Sequence, residues 1–281
     1  MMRTLAGRTL LVTGATRGIG LAIAVRAARD GANVAILGKT EAPHPKLPGT
    51  IHDAARAVEE AGGRALALAC DVRDEQAVAR AVDATVGRFG GLDALVNNAS
   101  AISLTGTLAT PVKRFDLMTG VNVRGTFVAS QACLPHLLAA ARTRGEAHIL
   151  TLAPPPSLDP KHFRDHVAYA IAKVGMSLAT LGMAEEFREQ DVRVNALWPR
   201  TVIATAAIAM LPGADPRRMR TPQIVADAAH AVLSGALGAT SGRFLIDEDV
   251  LRTAGLVREA KDLERYAVDP AQPLMPDLFL D

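Results

Sequence analysis

Short apolar runs alternate along the chain with longer stretches in which apolar residues recur at helical spacing. The runs fall at 9–12, 33–37, 65–69, 94–97, 147–152, 192–197 and 243–246. They have strand length and little polar alternation, as parallel strands do when helices cover both faces of their sheet. Helical patterns at 19–30, 50–61, 74–88, 114–142, 162–189 and 222–236 lie between them and make a repeated βαβ rhythm. The rhythm predicts an α/β fold, a single doubly wound Rossmann-type domain with a mainly parallel seven-stranded sheet and helices on both faces. No Gly/Ser linker, repeat or low-complexity block divides the chain, so 1–248 is read as this domain and 249–281 as a C-terminal packing tail of the same domain. A proline-rich stretch at 40–49 (TEAPHPKLPG) lengthens a loop that usually takes about two to six residues.

Composition narrows the function. With 49% hydrophobic and 21% charged residues, the 281-residue chain can build a large core. The balance of 31 Lys and Arg against 29 Asp and Glu is too even for a protein of the nucleic-acid backbone, so no nucleic-acid partner is expected. Aromatics at 4% argue against a stacking platform for sugars or single strands. Cys70 and Cys133 lack C-x-x-C spacing and read as small buried hydrophobes. Among the histidines only His162 and His166 are spaced i,i+4 on a predicted helix. The residues between them, Phe163-Arg164-Asp165, lack the glutamate of a zincin, and no metal site is expected. No apolar run reaches membrane-spanning length and no signal-peptide pattern opens the chain, so the expectation is a cytoplasmic protein without a membrane span.

After the first apolar run comes Thr13-Gly14-Ala15-Thr16-Arg17-Gly18-Ile19-Gly20, opening directly into a helix. Glycines permit a tight turn and close approach to a pyrophosphate, and a helix start offers free N–H groups and a positive dipole end. A dinucleotide site is predicted there. An NAD site usually places an acid at the end of the second strand, but here that strand runs into Gly38-Lys39-Thr40. Lys39 and Arg17 are cations suited to a 2′-phosphate, and no carboxylate precedes Glu41, so NADP(H) is the expected cofactor.

The glycine string, Asp71-Val72, Asn97-Asn98-Ala99-Ser100, Asn122 and Tyr169-Ala170-Ile171-Ala172-Lys173 follow one another in the order of the short-chain dehydrogenase/reductase superfamily, which the chain resembles over about 5–248. Within it APHPKLPGTI at 42–51, NNASAISLTGTL at 97–108, VNALWPRT at 194–201 and PLMPDLFLD at 273–281 resemble a hydroxysteroid dehydrogenase-like branch. The resemblance implies that Asp71 bonds the adenine with Val72 beside it, that Asn98 and Ala99 pass under the ribose, and that Pro199 and Thr201 lie by the carboxamide. It also implies a homodimer or homotetramer paired through the helices at 114–142 and 162–189. Pro199-Arg200 stands where the family usually has Pro-Gly, which suggests an added cation beside the substrate pocket.

Tyr169 and Lys173, four apart on a predicted helix, share one face. A phenol titrating near 10 needs a nearby cation to work as acid and base at neutral pH, and Lys173 stands where it would lower that value. The resemblance implies that Tyr169 moves the proton at the substrate oxygen, that Lys173 also holds the ribose, and that Asn122 anchors a water. The hydroxyl usual in the family is missing. Counting back thirteen residues from Tyr169 gives Pro156, and aligning the strand gives Ala153 or Pro154. Ser157 fills the place only if its loop bends inwards. Loss of one such donor costs about 10²–10³ in rate, which slows an enzyme without silencing it. Apolar residues across 201–219 favour a lipid-, acyl- or steroid-like carbonyl or alcohol as substrate. The alternative is a cofactor-binding regulatory or lipid-binding protein with little turnover.

Overall fold

The computed structural model describes residues 4–43, 48–211 and 213–280; part of the 40–49 insertion, including His44, therefore lies outside the described residues. Seven strands, β1 (Thr9–Thr13), β2 (Asn33–Gly38), β3 (Arg64–Ala69), β4 (Ala94–Asn97), β5 (Ala147–Thr151), β6 (Val192–Trp198) and β7 (Phe244–Ile246), form one sheet in the order β3-β2-β1-β4-β5-β6-β7. Every neighbouring pair is parallel. Helices α1 (Gly18–Ala28), α2 (Ile51–Glu60), α3 (Glu75–Phe89), α4 (Val112–Met118), α5 (Gly125–Arg144), α6 (Val167–Glu186), α7 (Gln223–Leu233) and α8 (Asp247–Thr253) join them. The unalternated runs have their reason in the two cores. Leu10 and Val12 of β1 pack with α1, α2, α7 and α8 on one face, while Leu11 between them packs with α3 and α5 on the other. Each fully buried leucine of this kind is worth about 1.5–3 kcal/mol of transfer free energy, so both faces are mainly apolar.

Local chemistry sets several boundaries. Thr50 and Asp53 form a reciprocal capping box at the start of α2, and Asp74 caps α3. The helical pattern at 114–142 divides: α4 passes through a π turn, Thr119–Arg124, into α5. The pattern at 162–189 starts late. Asp159 caps a short 3-10 turn, Pro160–His162, and Asp165 takes a positive φ of 66°, so α6 begins only at Val167. His162 and His166 therefore do not share a helix, contrary to the spacing argument. Helix α8, which starts directly after β7 with three acids in its first turn, has no counterpart in the sequence reading.

Among the described helices α6 alone has the length and hydropathy to cross a bilayer, and 56% of that stretch is buried inside the protein. Beyond α8 the chain packs back against the body of the domain. Tyr266 is buried and donates from its hydroxyl to Asp227 Oδ2 of α7 at 2.8 Å. From there the chain runs back along the loop after β6, where Val202 N–H bonds Met275 O at 3.0 Å and Met275 N–H bonds Arg218 O at 2.8 Å.

Candidate active site

Strand order reverses between β1 and β4, and the loops leaving these two strands part to make a crevice at their C-terminal ends. A cleft of about 510 Å³ opens there. Gly14, Thr16, Arg17, Gly18 and Ile19 line one end of it. Helix α1 starts with no side-chain cap and no acid in its first turn, so its leading N–H groups and positive dipole end are left for an anion.

The glycines are needed for packing as well as for the turn. Gly14 holds a φ of +64°, and a Cβ on it would stand 2.8 Å from the Ala99 Cα. Gly20 lies behind the cleft surface, where a Cβ would overlap Asn98 Nδ2 and come within 2.8 Å of the Gly14 carbonyl oxygen. Asn98 locks the loop to the end of β4: its Nδ2 donates to the carbonyls of Thr13 (2.9 Å) and Gly14 (3.0 Å). The N–H groups of Asn98 and Ala99 both donate to Thr13 Oγ1 at 3.0 Å. A close-packed turn with free main-chain donors fits the pyrophosphate of a dinucleotide.

Beyond β2 the lining becomes charged. Arg73 clasps Asp71 through Nε (3.1 Å) and Nη2 (2.7 Å), and Lys39 Nζ meets the same carboxylate at 3.0 Å. Arg73 first, and Lys39 after it, hold the Asp71 carboxyl far below the usual carboxylate range in spite of its partial burial. Arg17 donates from Nη2 to Thr40 Oγ1 and to the Gly49 carbonyl, both at 3.1 Å. Its buried Nε has no partner among the described residues. Val72 and Cys70 also line this part, and burial raises the Cys70 thiol to about 11, so it carries no thiolate at neutral pH.

At the inner end Tyr169 and Lys173 rise from successive turns of α6, both buried and both on the cleft. Lys173 Nζ donates to the Leu152 carbonyl at 2.5 Å and lies 4.8 Å from the centre of the Trp198 ring. Burial brings Lys173 down to about 7, with Asp277 pulling the other way. Burial also raises the Tyr169 phenol, and Asp277 raises it further. This is the reverse of the lowering expected from the Tyr-Lys spacing, because burial dominates and the ammonium is engaged by Leu152 O and the indole.

The remaining predicted residues fall on, behind or away from the cleft. Pro199 lines it, whereas Thr201 is buried behind, with its main chain bridged to Pro276 and its hydroxyl without a partner among the described residues. Asn122, in the π turn, is spent on Ala101: its Oδ1 accepts the Ala101 N–H at 2.7 Å and its Nδ2 donates to the Ala101 carbonyl at 3.1 Å. It fixes the wall without lining the cleft. Ser157 does not turn inwards. Pro154, Pro155 and Pro156 carry the chain from buried to exposed, and Ser157 Oγ accepts the Asp159 N–H at 3.1 Å. Arg200 also departs from expectation: its Nη2 bonds Asp249 Oδ2 at 2.8 Å, so it faces α8 and not the pocket. The loop after β6 contributes Val202, Ile203, Ala206, Ile208 and Met210 as an apolar wall.

Three residues of the inner end escaped sequence reasoning: Trp198, Phe279 and Asp277. The Phe279 ring lies 6.0 Å from that of Tyr169, 5.8 Å from that of Trp198 and 5.8 Å from that of His166. One signal was present for Asp277, the sole polar residue of the apolar, proline-spaced segment 273–280.

Residues 8–211 match the family model for short chain dehydrogenase, and the chain belongs to that family of oxidoreductases. Within it the chain is similar to hydroxysteroid dehydrogenase-like protein 2 of Danio rerio, at 55% identity over 99% of this chain and 65% of that protein, which bears out the branch read from the sequence. The chain thus spans under two thirds of the length of the curated relatives it matches. Among solved structures it is similar to a putative dehydrogenase from Xanthomonas campestris, with 62% identity, a TM-score of 0.93 and 99% of each chain covered. It is also similar to the NADH-dependent reductase A1-R′ complexed with NAD, with 25% identity, a TM-score of 0.71, 86% of this chain and 95% of that one.

Proposed function

We propose that this chain is an NADP(H)-dependent oxidoreductase interconverting a carbonyl and a secondary alcohol on an apolar, lipid-, acyl- or steroid-like substrate, with Tyr169 as general acid and base. The observation that carries the reading is one continuous cleft with free helix N–H groups and cations at one end and the buried Tyr169 and Lys173 at the other. When bound, the cofactor supplies hydride exchange at its nicotinamide. The N–H groups of Gly18, Ile19 and Gly20 hold the pyrophosphate. Asn98 and Ala99 would flank a ribose, Asp71 and Val72 the adenine, and Pro199, backed by Thr201, the carboxamide end. Lys173 binds the ribose hydroxyls and, while charged, favours the phenolate of Tyr169. Tyr169 gives its proton to the substrate oxygen in reduction and takes it back in oxidation.

Support for a 2′-phosphate comes from Arg17 and Lys39 beside the end of β2, with no carboxylate between that strand and Glu41; Lys39 shares Asp71 with Arg73, whose two-point clasp holds that carboxylate when Lys39 turns to a phosphate. The apolar 202–210 wall supports a lipid-like substrate. Exposed Phe127 of α5 and Ile171, Leu178 and Leu181 of α6 support pairing into a homodimer or homotetramer. The test is single-turnover oxidation of bound NADPH against ketones, aldehydes and 3-oxoacyl thioesters, with Tyr169→Phe alongside. Turnover by the parent chain that Tyr169→Phe abolishes is expected; turnover that survives the substitution would overturn the assignment.

A further inference from the structure

The end of β5 brings no hydroxyl to the cleft, since Thr151 is buried behind its surface and the residues that follow are Leu152, Ala153 and three prolines, yet a polar side chain does stand at the inner end. Asp277 lines it together with Tyr169, Lys173 and Trp198. It is delivered from the far end of the sequence by main-chain pairing: its own N–H bonds Arg200 O at 3.2 Å, beside the Thr201–Pro276 bridge and the Val202–Met275 hydrogen bond. Its carboxyl is oriented as well as placed. Trp198 Nε1 donates to Oδ1 at 2.5 Å and the Phe279 N–H donates to Oδ1 at 2.9 Å. Oδ2 bonds no side chain among the described residues.

We propose that Asp277, as a carboxylic acid, is the second hydrogen-bond donor to the substrate oxygen beside Tyr169, and so a catalytic residue that takes the place of the missing hydroxyl. The inference rests on the carbonyl chemistry proposed above. Oδ1 accepts from Trp198 and Phe279, so in the protonated acid Oδ2 carries the proton. The indole of Trp198 and the ring of Phe279 wall the group with apolar surface, and burial raises its pKa in spite of the N–H groups of Trp198, Phe279 and Leu278 and the pull of Lys173. The titratable groups facing it are Tyr169 and Lys173 of α6. His166 meets the Phe279 ring, and Arg200 is spent on Asp249. A neutral acid held in such a site donates most strongly to an oxygen that is gaining negative charge, as a carbonyl oxygen does during reduction. The proton on Oδ2 stays with Asp277 throughout, and Tyr169 gives the one that is transferred.

The test compares Asp277→Ala, Asp277→Asn and Tyr169→Phe in kcat/KM on a responsive ketone and in NADPH Kd. Asp277→Ala is expected to lose about 10²-fold in kcat/KM with NADPH affinity kept to about twofold. In Asp277→Asn the amide oxygen accepts from Trp198 and the NH₂ donates in place of Oδ2, so kcat/KM should stay within about tenfold of the parent. Asp277→Leu, which keeps the volume, is read in the same way should the alanine variant fail to fold. An Asp277→Ala or Asp277→Leu chain with kcat/KM within about threefold of the parent overturns the inference, as does Asp277→Asn falling as far as Asp277→Ala. An inactive Tyr169→Phe beside an undiminished Asp277→Ala removes this inference alone, whereas an active Tyr169→Phe removes the proposed function and this inference with it.

Discussion

The two ends of the cleft are built on different principles. The glycine end is made of main chain: free N–H groups at the start of α1, a turn that only glycine permits, and the Asn98 amide closing it against β4. The inner end is made of side chains from three separated places, α6, the end of β6 and residue 277. Main-chain recognition is written in a short run of residue types, because the turn itself is the recognition element. Acid-base chemistry depends on what surrounds each side chain, and those surroundings arrive from anywhere in the chain. Lys173 illustrates this, since its pKa is lowered by burial and its ammonium meets Leu152 and Trp198, both more than twenty residues away in sequence.

Substitutions at each end should separate binding from chemistry. The largest expected effect is at the inner end: Tyr169→Phe should lower kcat by about 10²–10⁴-fold while leaving NADPH Kd unchanged, measured by stopped-flow turnover and fluorescence titration. Gly20→Ala should do the opposite. Its methyl group collides with Asn98 and the Gly14 carbonyl, so the expected outcome is a stability loss of about 1–3 kcal/mol in denaturant melts and at least tenfold weaker NADPH binding. A Gly20→Ala chain that binds normally would break the contrast between the two ends.

Lys39→Asp tests the charge at the glycine end alone. It should move the NADPH to NADH affinity ratio about tenfold towards NADH, with kcat on the preferred cofactor little altered. Smallest of all, Ser157→Ala should change kcat/KM by less than about twofold, since its hydroxyl serves only Asp159. A loss of ten times or more would show that the loop turns inwards during turnover and that Ser157 belongs to the inner end after all.

Most of the sheet was legible because fully buried parallel strands have an unambiguous signature, and every predicted apolar run became a strand. The helices were less so. Nothing in Gly120-Val121-Asn122 announces a π turn, and Asp165 gives no warning that it will take a positive φ and delay α6. Helix α8 hid behind its own acids, which read as polar surface unless the helix start they favour is already known. At the site, Gly14, Thr16 to Ile19, Asn98, Ala99, Tyr169 and Lys173, all named from the sequence, line one cleft, and the lack of a hydroxyl at 153–156 was visible in the letters. The orientation of Arg200, decided by Glu248 and Asp249 of an unforeseen helix, was not. Asp277 stood out in the sequence only as an isolated charge, and its place in the site depends on Trp198 and on the backbone pairing of 275–277 with 200–202.

Because Asp277 comes after every strand of the sheet in sequence, the two ends are not completed at the same stage of synthesis. The glycine turn closes through contacts among β1, α1 and the residue after β4, while the inner end waits for the chain beyond α8 to run back over the loop after β6. The loops closed are of similar length, 85 residues from Thr13 to Asn98 and 79 from Trp198 to Asp277, so the order comes from the direction in which the chain is made and not from loop closure. A chain cut before residue 275 is then expected to keep nucleotide binding and to lose turnover.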